Sequence, residues 1–162
     1  MNSLGDSGEL NQLGGVVVGT RYRSAGRTLT RGECALLCDL TWTIGRLHTD
    51  REFAAKSHFK DIILPGAVLV AVATGLINTS DFYRDLSRNS NIQVLAALGV
   101  RANYRKAFYS DDTVVVETTV EHIRPSSTRA GEYILSFSDE VLNQRDEVLV
   151  EMCRSWRVSL SG

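Results

Sequence analysis

The stretch TWTIGRLHTDREFAAKSHF, Thr41 to Phe59, sets a histidine and an aspartate two positions apart at the entrance of a short helix. The imidazole of His48 is the side-chain type that exchanges a proton near neutral pH, so proton transfer is the chemistry this stretch can do. Asp50, or Thr49 before it, suits the N-cap of the helix predicted by TDREFAAKS, where a side-chain oxygen accepts an unpaired backbone N–H. Asp39 stands four residues before Thr43, a spacing that shares a helix face. It reads either as a solvated helix carboxylate or as an acid beside Thr43. Three cysteines, Cys34, Cys38 and Cys153, cannot all pair within one chain, which fits a reducing compartment. Cys34 and Cys38 share a helix face, but their spacing to His48 or His58 fits no zinc pattern. The pair reads as buried apolar thiols, and no metal site is expected. His58 and His122 read as structural.

Those side chains need elements to hold them. Thr30 followed by Glu33 is a capping-box signature, so a helix runs from about Arg31 to Thr41. GAVLVAVATGLINTS, opened by Pro65, is apolar round its whole circumference and belongs inside the fold. After Asn89 come segments rich in Val, Ile, Thr and Tyr, parted by turn compositions: Ile92 to Tyr109, broken or bent, then Thr113 to Ile123, Glu132 to Leu142 and Val148 to Leu160. With the extended piece TRYRSAGRTLT this makes an antiparallel sheet of about five strands curled round one apolar helix, an α+β arrangement. VVVETTVEHI carries outward β-branched residues that suit a dimer. Residues 1–15 are polar and Gly-rich, read as a mobile lead, with one domain over 16–162.

A net charge of −1, from 18 basic and 19 acidic side chains, offers no footprint for nucleic acid or a membrane surface, so small-molecule or protein partners are expected. A cytoplasmic location follows from the lack of a signal-peptide pattern. GVVVGT lacks the GxGxxG order and ATGLI lacks the serine of GxSxG, leaving nucleotide folds and serine hydrolases unsupported. RYRSAGR and RANYRK read as solvated strand faces, or as a place for the phosphates of a carrier such as coenzyme A.

From about Thr20 to Leu160, the helix, LHTDREFAAKSHFKDIILPG and the apolar AVLVAVATGL together resemble the MaoC-like dehydratases, the hot-dog-fold (R)-specific enoyl-thioester hydratases. The likeness is nearest the mesaconyl-CoA hydratase-like branch, whose central helix also ends in Thr-Gly-Leu. The family motif is Asp-x-Asn-Pro-x-His, followed by a His-Gly step and a Ser-Gly or Thr-Gly pair on the central helix. Carried over without gaps, its histidine falls on His48, the next aspartate on Asp50, the step's glycine on Gly66 and the helix pair on Thr74 and Gly75. Its aspartate falls on Thr43, its asparagine on Gly45 and its proline on Arg46, while the histidine of the His-Gly step becomes Pro65.

The resemblance implies an enzyme that adds water across, or removes it from, an acyl thioester, with no cofactor. Its implied catalytic set is His48 as base, Thr43 in the acid's place and the Gly75 N–H at the thioester oxygen, with Thr74, Gly66 and Asp50 holding substrate. A threonine can orient a water but does not exchange a proton as a carboxylate does, a loss typical of ~10²–10⁴-fold in rate. The implied partners are an acyl-CoA or an acyl carrier protein, and a second copy in a homodimer or another hot-dog chain in a heterodimer. The alternative reading is a member without hydration activity, serving as an acyl-binding subunit or catalysing a different rearrangement of a natural product.

Overall fold

The computed structural model describes residues 9–88 and 91–161. A small hairpin, β1 (Gln12–Leu13) and β2 (Val16–Val17), leads to β3 (Arg21–Arg23), β4 (Arg27–Thr28), α1 (Arg31–Leu40), α2 (Arg46–Thr49), α3 (Arg51–Lys56) and β5 (Ile63–Leu64). Then come α4 (Gly66–Ile77), α5 (Asp81–Arg88), β6 (Ile92–Tyr104), β7 (Phe108–Tyr109), β8 (Thr113–Pro125), β9 (Glu132–Asn143) and β10 (Val148–Leu160). The main sheet is antiparallel in the order β3–β8–β9–β10–β6, with β4 also on β8. Register shifts interrupt the β6–β10, β8–β9 and β9–β10 ladders. Such bulges bend strands and raise their twist, and the sheet curls over α4.

Pro65 opens α4 with its fixed φ, and the helix buries Val68, Leu69, Ala73 and Ile77. They pack with Val114 and Val116 of β8, Val141 of β9, and Leu149, Val150 and Met152 of β10. A buried side chain of this size contributes about 1.5–3 kcal/mol, so α4 is the main element holding the curl. The helix is not covered all round, as its composition suggests. Ala67, Ala71, Thr74 and Gly75, spaced i, i+4, i+7 and i+8, form an exposed stripe of small residues.

The capping box forms as read: Thr30 Oγ1 accepts the Glu33 N–H at 3.3 Å and Glu33 Oε2 accepts the Thr30 N–H at 2.8 Å. The turn compositions also mark the long strands to within a few residues. Three expectations change. DFYRDLSR, not read as an element, is α5, docked through the fully buried Phe82 against Tyr22, Phe137 and Trp156. Of the expected mobile lead, residues 1–15, the first eight lie outside the described residues, whereas Leu13 is buried in that aromatic cluster beside Val16, which follows the lead. Gly14 and Gly15, both at positive φ, make the tight turn between β1 and β2. β8 is an interior strand, and exposed large apolar residues of the sheet are instead concentrated on β6, where Val94, Leu95, Leu98, Val100 and Tyr104 lie on an edge that among the described residues pairs with β10 alone.

Candidate active site

His48 lies in α2, a single turn whose Arg46 C=O accepts the Asp50 N–H at 3.0 Å. Asp50 then starts α3: its Oδ1 accepts the Phe53 N–H at 3.0 Å and its Oδ2 pairs with Arg46 at 2.7 Å. The Phe53 N–H first, and then Arg46, hold this carboxyl below the usual aspartate range. Asp50 is therefore a cap that anchors the segment carrying His48. It is absent from the lining of the cleft described next.

The half-buried His48 ring is set by one bond, Nδ1–H donating to the Ile63 carbonyl at 2.7 Å. A carbonyl only accepts, so Nδ1 carries the proton of the neutral ring and Nε2 keeps its lone pair. Ile63 is fixed in turn because β5 pairs with β7, Ile63 opposite Tyr109 and Leu64 opposite Phe108. The Tyr109 hydroxyl also donates to the Phe59 carbonyl at 3.0 Å. The β5–β7 pair thus joins the His48 segment to the far end of β6.

Between them lies a cleft of about 540 Å³ whose wall includes His48, Phe59, Leu64, Gly66, Leu69, Tyr104 and Val150, with Arg105 and Lys106 also on its lining. The first hydrogen bond of α4 is from the Leu69 N–H to the Pro65 carbonyl at 3.0 Å, and no side chain caps the helix. The N–H groups of Gly66 and Ala67 precede that bond and lack intrahelical partners, as at any helix start. Here they are at the cleft, where the helix dipole favours negative charge. Arg105 pairs with Glu151 at 2.6 Å and Lys106 with Glu147 at 2.7 Å.

The other expected site residues are elsewhere. Gly75 is in the last turn of α4, about 13 Å along the axis from Gly66 at 1.5 Å per residue. Its N–H belongs to the intrahelical ladder, whereas the N–H groups that precede that ladder are at the other end of the helix, at Gly66 and Ala67. The Thr74 hydroxyl turns back to the Val70 carbonyl at 2.8 Å. The Thr43 hydroxyl is 2.7 Å from Thr41 Oγ1, beside the Cys38 thiol, and Thr43 is not part of the cleft lining. Asp39 shares with His48 a second hollow of about 340 Å³, together with Cys34, Cys38 and Ser110. Burial pushes the Cys34 thiol up to about 11 and raises Cys38 as well, which leaves both protonated and inert. His58 stacks against Phe59, and His122 sits 3.5 Å from Glu9 on the exposed side of the sheet. Among the described residues no three His, Cys, Asp or Glu side chains converge as metal ligands, and no helix is long and apolar enough to cross a membrane.

Sequence reading missed Tyr104. RANYRK pointed to it only as a strand end where an aromatic and two cations follow one another, and nothing local ties that end to His48.

An antiparallel sheet curled over one apolar helix is the hot-dog fold, and relatives with this fold are numerous. A MaoC-like dehydratase from Rhodospirillum rubrum matches with a TM-score of 0.74 at 23% identity, over 91% of this chain and 95% of that one. The (R)-hydratase from A. caviae involved in PHA biosynthesis matches with a TM-score of 0.65 at 20% identity, over 91% and 98%. The HadBC complex, a 3R-hydroxyacyl-ACP dehydratase from Mycobacterium tuberculosis, matches with a TM-score of 0.72 at 15% identity, over 90% and 99%. A comparison with curated proteins finds no match. Residues 17–152 match the family described as FAS1-like, dehydratase domain region. The chain belongs to that family and shares the fold of the MaoC-like dehydratase and the (R)-hydratase.

Proposed function

We propose that the chain hydrates an enoyl thioester, or dehydrates a 3-hydroxyacyl thioester, with His48 as the base and the start of α4 as the site for the thioester oxygen. The observation that carries this reading is the bond between His48 Nδ1 and the Ile63 carbonyl, which leaves Nε2 without a partner among the described residues on a side chain that lines an apolar cleft together with Gly66. Nε2 takes a proton from water, the water oxygen bonds to C3, and the enolate oxygen is held by the N–H groups of Gly66 and Ala67. Arg105 and Lys106 are placed to meet an anionic carrier, coenzyme A or the prosthetic arm of a carrier protein. The nearer likeness to the mesaconyl-CoA hydratase-like branch belongs to this reading and rests on the Thr-Gly-Leu end of α4.

The working unit in this reading is a dimer. An edge strand with five exposed large apolar residues beside an uncovered helix stripe is a pairing template, and a second copy or another hot-dog chain would cover both. One observation favours the rival reading of an acyl-binding subunit or a different rearrangement: the lining of the cleft includes no carboxylate, and Thr43 lies outside it. Loss of the conjugated-thioester absorbance of trans-2-butenoyl-CoA tests the two. Turnover that falls ~10²–10⁴-fold in His48→Ala, with KM little changed, supports the hydratase. Binding without turnover supports the rival.

A further inference from the structure

We infer that Tyr104 is the proton donor of this site, in place of the acid that the family motif puts at position 43; the inference rests on the hydratase reading above. The cleft lining contains four side chains with transferable N–H or O–H groups: His48, Tyr104, Arg105 and Lys106. Arg105 does not give up its proton in a protein, and Lys106 is held by Glu147 at 2.7 Å. His48 is already assigned to the attacking water in the hydratase reading. The Tyr104 hydroxyl makes no hydrogen bond with a described residue. A tyrosine hydroxyl both donates and accepts, and serves elsewhere as an acid in catalysis.

Its position fits the task. A Cβ on Gly66 would stand 2.6 Å from Tyr104 Cε1, 2.7 Å from Cδ1 and 3.1 Å from Cζ. The ring therefore rests directly on the glycine that begins α4, and only the missing side chain lets it approach. The hydroxyl is one bond beyond Cζ, at the same end of α4 as the N–H groups assigned to the thioester oxygen. That oxygen and the α-carbon, C2, are separated by the thioester carbon alone, so a donor beside the oxygen site is a donor beside C2.

The proton balance closes without a further reagent. His48 Nε2 takes a proton from water as the oxygen bonds to C3, and the C2=C3 electron pair passes into the enolate. The enolate collapses as C2 bonds the Tyr104 proton. The phenolate then recovers a proton from the His48 imidazolium, through water or directly, and both side chains return to their starting states.

The test uses the full chain with trans-2-butenoyl-CoA and trans-2-octenoyl-CoA, comparing wild type, His48→Ala and Tyr104→Phe. Phenylalanine keeps the ring on Gly66 and removes only the hydroxyl. The expected result for Tyr104→Phe is a ~10²–10⁴-fold fall in kcat, with KM and the binding of saturated butanoyl-CoA little changed and an unaltered thermal melt. Wild-type kcat in Tyr104→Phe alongside an inactive His48→Ala would overturn the donor role and leave the hydratase reading standing. A wild type inactive on both thioesters would overturn the hydratase reading and this inference together.

Discussion

The two ends of the helix layer are built on opposite terms. Under α5 everything is closed: Arg154 Nε donates to Asp139 Oδ2 at 2.7 Å and Nη2 to Oδ1 at 3.2 Å, and the Thr118 hydroxyl adds a bond to Oδ1 at 2.6 Å. The guanidinium lies over the Phe137 and Trp156 rings, 4.4 and 4.8 Å from their centroids, and neither charged side chain is more than 3% exposed. At the start of α4 the account is open. Nε2 of His48, the Tyr104 hydroxyl and the N–H groups of Gly66 and Ala67 have no partner among the described residues, and Tyr104 is 58% exposed. A buried polar group without a partner costs stability, so the fold spends its paired polar groups in the closed half. At the start of α4 it leaves unpaired ones where water or a ligand reaches them.

The difference is sharpest in Asp139→Ala. It strands the Arg154 guanidinium in the core and should cost roughly 3–5 kcal/mol of unfolding free energy, read by urea denaturation. His48→Ala should do the reverse, leaving the denaturation midpoint near wild type while kcat falls ~10²–10⁴-fold. Comparable stability losses in both variants would erase the distinction between the halves. Gly66→Ala is a finer probe. Its Cβ would push the Tyr104 ring off the start of α4, so kcat should drop. The smallest effect is expected from Thr43→Asp. The family motif suggests a gain in hydration, but a carboxylate at this position would sit beside Thr41 and Cys38 rather than in the cleft. No rise in kcat is expected, and a clear rise would return the acid to position 43.

What could be read from the sequence followed how locally each feature is determined. The capping box at Thr30 and Glu33, the Asp50 cap and the turn compositions between the long strands are set within a few residues, and each formed. The α5 helix escaped notice because DFYRDLSR is short and polar, and its helicity depends on Phe82 finding Tyr22, Phe137 and Trp156. The site divides the same way. His48 is legible from its motif, whereas the choice between Gly66 and Gly75 depends on which end of α4 faces the histidine, a matter of how β5 pairs with β7. Tyr104 is brought to the cleft by the same long-range pairing. VVVETTVEHI carries outward β-branched residues that suit a dimer, but such a pattern gives the face of a strand and not its place in the sheet, and β8 lies inside it.

The account stands on where the reacting atoms lie, and a crystal structure with a non-hydratable thioester, such as butanoyl-CoA, tests that most directly. It predicts the thioester oxygen within hydrogen-bond reach of the Gly66 or Ala67 N–H, C3 facing His48 Nε2, C2 facing the Tyr104 hydroxyl, and the carrier phosphates toward Arg105 and Lys106. An acyl group bound at Thr74 and Gly75 of the same chain, with His48 out of reach of C3, would contradict it.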